Sequence, residues 1–238
     1  MTQSKIPLVI LHGWGGSRAS WNKCLQQIDR SKYSVHMLDL PGFGESGDPK
    51  KAWNVQDYAE HVKQWLKKEK LIKPVCVAHS FGGRIAIKLT SENSDLFSAL
   101  FLVGAAGIKP KITLKKKLLK GLSALGKLVP GPFKKLARKI LYKLAGAHDY
   151  NQTSGVMRET FQLVIDEDLT HLLKKIRTKT HIIWGEKDSY VPTSDAELMH
   201  HEIKGSTLKI IPEGKHGLHQ QMPEKLLELI TFYLHNDK

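Results

Sequence analysis

The sequence contains little cysteine. Only Cys24 and Cys76 occur in 238 residues, and they form no Cys-x-x-Cys pair. This scarcity argues against a disulfide framework and against a thiolate metal site. The sequence also lacks an apolar run long enough to span a bilayer, and its first residues lack the apolar core of a secretory signal. We therefore expect a cytoplasmic protein in a reducing compartment.

Acidic residues are absent between Asp95 and Asp149, whereas basic residues are dense from Lys109 to Lys143. Much of the formal net charge of +14 therefore belongs to one segment. Such an excess, spread over a whole chain, would suggest nucleic acid or an anionic membrane as a partner. The rest of the chain mixes both signs, as the surface of an ordinary soluble enzyme does. We expect no nucleic-acid partner.

Apolar runs alternate with helical patterns along most of the chain. Continuous apolar runs are typical of strands buried on both faces, and their alternation with amphipathic segments predicts a mostly parallel sheet covered by helices. The fold class is therefore α/β, with about six parallel strands. The predicted strands are 6–13, 34–40, 74–80, 98–104, 180–185 and 206–212. The predicted helices between and after them are 21–29, 55–70, 82–91, 194–203 and 223–234.

The strand pattern stops in residues 109–173, where a helical pattern replaces it. We predict that this segment is a lysine-rich helical cap inserted between two parts of one core, 1–108 and 174–238. Four apolar side chains lie on one helical stripe, namely Leu118, Leu122, Leu125 and Val129. The run Pro130-Gly131-Pro132 separates this helix from a second one that begins near Phe133. We favour a lid over the active-site cleft. The alternative is a surface that binds an anionic membrane or partner.

The strongest local signal is the run Ala78-His79-Ser80-Phe81-Gly82-Gly83, between a predicted strand and a predicted helix. A sharp strand-to-helix turn would hold the Ser80 hydroxyl out at the carboxyl edge of the sheet. Such a turn needs small residues two positions before and two after the serine, and Ala78 and Gly82 satisfy this. Ser80 is the candidate nucleophile. We expect His79 to point away from the cleft and pack.

The loop after the first strand reads His12-Gly13-Trp14-Gly15-Gly16-Ser17. Its backbone could offer the amide of Trp14 to a developing oxyanion, opposite the amide of Phe81. For the His12 side chain we favour a structural hydrogen bond.

A serine nucleophile requires a base within hydrogen-bond reach, and that base is itself oriented by a third group. Asp188 and His216 follow the last two predicted strands, where open α/β sheets place their sites. We assign Asp188 as the acid and His216 as the base. Glu186 and Asp195 are the alternatives for the acid, and His219 is the alternative for the base.

With these residues in this order, the sequence resembles the α/β-hydrolase superfamily over nearly its whole length. The segments LHGWGGS, LDLPGFGESG, AHSFGG, WGEKDSYVP and GKHGLHQQMPE are similar to that family's oxyanion loop, post-strand turn, nucleophile elbow, acid loop and histidine loop. The spacing from His216 to the last helix also favours His216 over His219. Two departures are Ala78, where relatives usually have glycine, and the apparent lack of the family's first two strands.

The resemblance implies a cofactor-independent enzyme without a metal, close to small carboxylesterases of the pimeloyl-ester hydrolase type. The expected reaction is cleavage of a small-molecule carboxylic ester or thioester through an acyl-enzyme on Ser80. The alternatives use the same residues for another reaction: acyl transfer, perhydrolysis, a lyase step or carbon-carbon bond hydrolysis. Ser80, His216 and Asp188 indicate the type of reaction but do not identify the substrate.

Overall fold

The computed structural model describes residues 4–109 and 155–236, and within them six strands form one parallel sheet. The strand order is β2-β1-β3-β4-β5-β6, and every neighbouring pair is parallel. The strands are β1 (Ile6–Leu11), β2 (Tyr33–Met37), β3 (Val75–His79), β4 (Ala99–Val103), β5 (Thr180–Gly185) and β6 (Thr207–Ile211). Each coincides with a predicted apolar run to within a few residues, which confirms the predicted α/β class and six parallel strands.

Helices follow the strands in the described part of the chain. A 3-10 turn (Arg18–Trp21) precedes the first, and Asn54 opens the second with a capping box that includes Asp57. The helices are α1 (Asn22–Gln27), α2 (Val55–Lys68), α3 (Phe81–Glu92), α4 (Gly155–Asp166), α5 (Thr170–Leu173), α6 (Thr193–Glu202), α7 (Leu218–Gln221) and α8 (Pro223–Asn236).

The core lies on both faces of the sheet. In β4 every side chain is buried, and alternate residues join different clusters: Leu100 and Leu102 pack with α2, α3 and α6, while Phe101 and Val103 pack with α1 and α8. This two-sided burial explains why the strand reads as a continuous apolar run instead of an alternating one.

The strand order places a switch point between β1 and β3. Because β2 lies on one side of β1 and the later strands lie on the other, the loops leaving β1 and β3 diverge and open a crevice at the carboxyl edge. The loop after β1 begins at His12, and the turn after β3 contains Ser80. The topology therefore brings both predicted motifs to one crevice.

Most of the predicted cap, including its five apolar positions from Leu118 to Phe133, lies outside the described residues. Its described end contains α4 and α5, and Met157 and Val164 of α4 pack into the core. The cap's boundaries and its contact with an anionic surface therefore stay predictions. Among the described helices, none has the length and apolar character needed to cross a membrane.

Candidate active site

Ser80 occupies a strained turn between β3 and α3. Its backbone has φ 51° and ψ −109°, a region that a residue with a side chain rarely adopts. Small residues make the turn possible: a β-carbon at Gly82 would lie 2.4 Å from the Leu11 carbonyl oxygen, and one at Gly83 would lie 2.4 Å from the Ala105 β-carbon. The start of α3 therefore packs directly against β1 and the loop after β4.

The structure brings the predicted nucleophile, base and acid into one hydrogen-bonded series. Ser80 Oγ lies 2.9 Å from His216 Nε2, and His216 Nδ1 lies 2.7 Å from Asp188 Oδ2. The Asp188 side chain is fully buried, and its other oxygen accepts hydrogen bonds from the backbone amides of Tyr190 and Val191, both at 2.9 Å. The carboxylate is thus held in place and can orient the imidazole.

Two further residues shape this series. Gly104 has φ +50°, and a β-carbon there would lie 3.3 Å from Asp188 Oδ2 and 3.4 Å from His216 Nδ1. The absent side chain leaves room for the hydrogen bond between them. The exposed ring of Tyr190 stacks on His216 with centroids 5.0 Å apart. Sequence reasoning missed Tyr190, although an aromatic residue just after the acid is a visible signal.

The alternative residues do not join the series. Glu186 accepts a hydrogen bond from the backbone of Glu213. Burial, opposed by nearby Arg84, raises the pKa of Asp195 to about 6. His219 stacks on Trp21 with centroids 4.5 Å apart, and its buried Nδ1 has no hydrogen-bond partner in the described part of the chain. Burial lowers the pKa of His219 to about 4, so this ring is neutral at pH 7.

The loop after β1 is held by a buried histidine. The backbone amide of Leu40 donates to His12 Nε2 at 3.0 Å, so Nδ1 carries the ring proton and faces the Gly13 carbonyl oxygen at 2.8 Å. Burial lowers the pKa of His12 and keeps it neutral. This agrees with its expected structural role.

The predicted oxyanion donors are the backbone amides of Trp14, in the loop after β1, and of Phe81, in the nucleophile turn. Among residues 4–109 and 155–236, neither backbone N–H donates to a backbone carbonyl oxygen outside the helices and strands. The Trp14 ring packs edge-on against Phe81, with centroids 5.3 Å apart, and against Phe161 of α4, with centroids 4.9 Å apart. Trp14 and Phe81 both line the cleft that contains Ser80, and their role as oxyanion donors stays a prediction.

A cleft of about 440 Å³ opens above Ser80 and His216. Apolar side chains of α4 form one part of its wall, namely Phe161, Val164 and Ile165. Polar groups form another part, namely Ser20, His219, Gln220 and the buried Arg84. Arg84 Nη1 donates to the Glu167 carbonyl oxygen at 2.8 Å, and burial lowers its pKa to about 10.

His79 behaves differently from the expectation. It is buried as predicted, but its ring borders the cleft instead of pointing away from it. The ring contacts those of His216 and His219, with centroids 4.8 Å and 4.5 Å away. The ring is directed towards the histidine loop, where its Nε2 lies 2.9 Å from the His216 carbonyl oxygen.

Other surfaces are less suited to chemistry. A depression of about 570 Å³ lies beside β2, but two of its three carboxylates, Asp39 and Glu45, are paired with Arg18, and the third, Glu69, is exposed. Within the described ranges, no group of three potential metal ligands occurs. The hydrogen-bonded series of Ser80, His216 and Asp188 at the carboxyl edge of the sheet is therefore the candidate active site.

Known proteins resemble this chain over most of its length. The pimeloyl-[acyl-carrier protein] methyl ester esterase of Aeromonas salmonicida is 21% identical in an alignment 257 residues long, and this alignment covers 95% of this chain and 94% of that esterase. An esterase structure from Exiguobacterium antarcticum has a TM-score of 0.74 at 24% identity, covering 99% of this chain and 93% of that one. A bromoperoxidase from Bacillus anthracis has a TM-score of 0.74 at 21% identity, covering 98% and 92%.

The sequence model of the alpha/beta hydrolase fold family matches residues 6–148, more than half of the chain. This match contains the loop after β1 and the Ser80 turn, and the structural neighbours share the fold that carries them. The chain belongs to the α/β-hydrolase fold family.

Proposed function

We propose that this protein is a serine hydrolase that cleaves a carboxylic ester or thioester through an acyl-enzyme. The observation that carries the proposal is the hydrogen-bonded series from Ser80 through His216 to the buried Asp188. A serine hydroxyl is a weak nucleophile near neutral pH, and this arrangement supplies the base and the orienting acid that it needs.

In the first half-reaction, Ser80 Oγ attacks the acyl carbonyl while His216 Nε2 takes the hydroxyl proton. The tetrahedral intermediate then collapses, the bond to the leaving group breaks, and His216 returns the proton to the departing alcohol or thiol. In the second half-reaction, His216 takes a proton from water, the resulting hydroxide attacks the acyl carbon, and Ser80 Oγ leaves with that proton. The products are a carboxylic acid and the alcohol or thiol.

The surroundings of Ser80 suit the charge that develops in this reaction. The amides of Phe81 and Trp14 supply two donors for the oxyanion, and the amino-terminal end of α3 adds a positive dipole. The Asp188 carboxylate stabilises the imidazolium that forms on His216. Loss of one oxyanion donor in such sites typically lowers kcat by about 10² to 10³.

The cleft wall suggests the substrate class. The aromatic and aliphatic side chains of Trp14, Phe161, Val164 and Ile165 suit an apolar group on the substrate. One relative is named as a pimeloyl-[acyl-carrier protein] methyl ester esterase, which supports esters as the first substrates to test. We propose that the substrates are esters with an apolar acyl chain. We also propose that the enzyme acts in the cytoplasm and without a cofactor.

The test is hydrolysis of p-nitrophenyl esters, from acetyl to long acyl chains, by the wild type and by Ser80→Ala. We expect turnover of at least one ester and a loss of kcat by at least about 10³ in the variant. Ser91→Ala is the matched control, because its hydroxyl lies at the far end of α3 and, among the described residues, bonds only to the Lys88 carbonyl oxygen. An inert wild type, or equal activity in Ser80→Ala, would overturn the proposal.

A further inference from the structure

The residue before the nucleophile makes a hydrogen bond that the proposed reaction does not use. His79 is the last residue of β3, and its ring is only 6% exposed. Its Nε2 lies 2.9 Å from the backbone carbonyl oxygen of His216. A carbonyl oxygen can only accept, so Nε2 carries the proton and donates it to the loop that presents the base.

The ring has a single proton to donate. Burial, with the neighbouring His219 and His216, lowers the pKa of His79 well below its ordinary value and keeps it neutral. Because its one N–H is committed to the His216 carbonyl oxygen, Nδ1 is the unprotonated nitrogen. Nδ1 faces the loop after β1, where a β-carbon on Gly13 would lie 2.8 Å from it.

The ring therefore lies where three loops meet. It is attached to the nucleophile turn, packs against Gly13 of the loop after β1, and bonds to the backbone of the histidine loop. Gly13 on one side and the His216 carbonyl oxygen on the other constrain the ring. Because the ring belongs to β3, these contacts fix the His216 backbone relative to that strand. A displacement of about 1 Å at a catalytic group can lower a rate by about 10².

We propose that His79 is a positioning residue: its Nε2–H bond to the His216 carbonyl oxygen holds that loop so that the His216 ring stays within hydrogen-bond reach of Ser80. This inference rests on the proposed function. His79 borders the cleft, but its proposed role acts through His216, so the loss of its hydrogen bond lowers kcat more than it changes KM.

Three substitutions separate the bond from the volume of the ring. His79→Gln places an amide N–H near the position of Nε2 and keeps the donor. His79→Leu keeps most of the volume and removes the donor, and His79→Asn keeps an amide that is too short to reach. We expect kcat to fall by about 10-fold to 100-fold in the Leu and Asn variants, with KM within about threefold, and to stay within about threefold of wild type in His79→Gln.

The control is His181→Leu, which removes another buried histidine, at the opposite end of the sheet in β5. It is expected to lose stability without losing kcat. If His79→Leu does not fold, His79→Asn provides the comparison with His79→Gln. Unchanged kcat in both donor-lacking variants would overturn the proposal, as would an equal loss in all three His79 variants.

A second readout is independent of turnover. The proton shared by His216 Nδ1 and Asp188 gives a low-field ¹H NMR signal when the ring is held in place. We expect this signal to broaden or shift in His79→Leu and His79→Asn and to persist in His79→Gln and His181→Leu. This keeps the two proposals distinguishable, because an inert wild type would defeat the hydrolase proposal while the NMR comparison still tests the bond. An unaltered signal in every variant would contradict the positioning role.

Discussion

Gly185 lies directly against Gly214, so that the acid loop and the histidine loop touch backbone to backbone. A β-carbon on Gly185 would lie 2.4 Å from the Gly214 carbonyl oxygen. The same carbonyl accepts a hydrogen bond from the Lys187 amide at 2.7 Å. This contact fixes the separation of Asp188 and His216, which follow these glycines by three and two residues.

Gly185→Ala should therefore damage both stability and the site. The added methyl group meets backbone atoms, which cannot move away as a flexible side chain could. We expect a loss of about 1–3 kcal/mol in the free energy of unfolding, and a drop in kcat of about 10² because the two loops must separate. Urea unfolding and ester hydrolysis measure these effects.

The control for this change is Gly47→Ala. A β-carbon at Gly47 would meet no atom within 4 Å. We expect its stability to change by less than about 1 kcal/mol and its activity to be retained. Equal behaviour of the two variants would mean that the contact between the loops does not matter.

Asp195→Asn should stabilise the protein above pH 6. Burial raises the pKa of Asp195 to about 6, so the folded state binds more protons than the unfolded state between about pH 4 and pH 6. The stability that the protonated carboxyl contributes is lost as the pH rises through this window. Since the group is only half-buried, we expect a gain of about 1 kcal/mol at pH 7.5 and none below pH 4.

Urea unfolding at the two pH values measures this difference, with the exposed Asp48→Asn as control. A loss of stability in Asp195→Asn at pH 7.5 would mean that the attraction of Arg84 for the carboxylate outweighs the cost of burial.

His219→Phe should make the protein less sensitive to acid. Burial lowers the pKa of His219 to about 4, so the unfolded state binds more protons than the folded state between about pH 6.5 and pH 4. Stability present above pH 6.5 is lost as the pH falls through this window, by up to about 3 kcal/mol from this group. Phenylalanine keeps the stacking on Trp21 and cannot be protonated.

We expect the unfolding free energy of His219→Phe to decline less steeply below pH 6.5 than that of the wild type. His200→Gln, at an exposed position of α6, should leave the slope unchanged. Parallel pH profiles for the wild type and His219→Phe would contradict this assignment.

Both cysteines should be unreactive in the folded protein. Cys24 and Cys76 are completely buried, and burial raises the pKa of Cys24 to about 12 and raises that of Cys76 strongly as well. Because the thiolate is the reactive form, a thiol reagent such as DTNB should modify neither residue under native conditions and both in urea. Rapid native labelling of one thiol would show that its helix or strand opens readily.

The sequence predicted the sheet well, and it also named residues that the structure brings into one hydrogen-bonded series, because both follow from local patterns. Strands buried on two faces are continuous apolar runs, and a nucleophile turn needs small residues two positions before and two after the serine. Ser80, Asp188 and His216 could be named because each lies in a turn or loop that follows a strand of a parallel sheet.

The remaining features depend on contacts between distant segments. The direction of the His79 ring is set by the histidine loop, which lies far along the chain, and its sequence pattern is that of any buried strand end. The apolar cleft wall comes from α4, and helical periodicity does not say which neighbour an apolar face meets. Tyr190 was missed because its stacking on His216 requires two loops to fold together.

Covalent labelling of the nucleophile tests the central claim most directly. A fluorophosphonate reacts with an activated serine by forming an Oγ–P bond and releasing fluoride, and the modified peptide can be identified by mass spectrometry. The account predicts one adduct per chain on Ser80, its loss in Ser80→Ala, and slow labelling in His216→Gln. An unlabelled wild type, or an adduct on another residue that persists in Ser80→Ala, would contradict it.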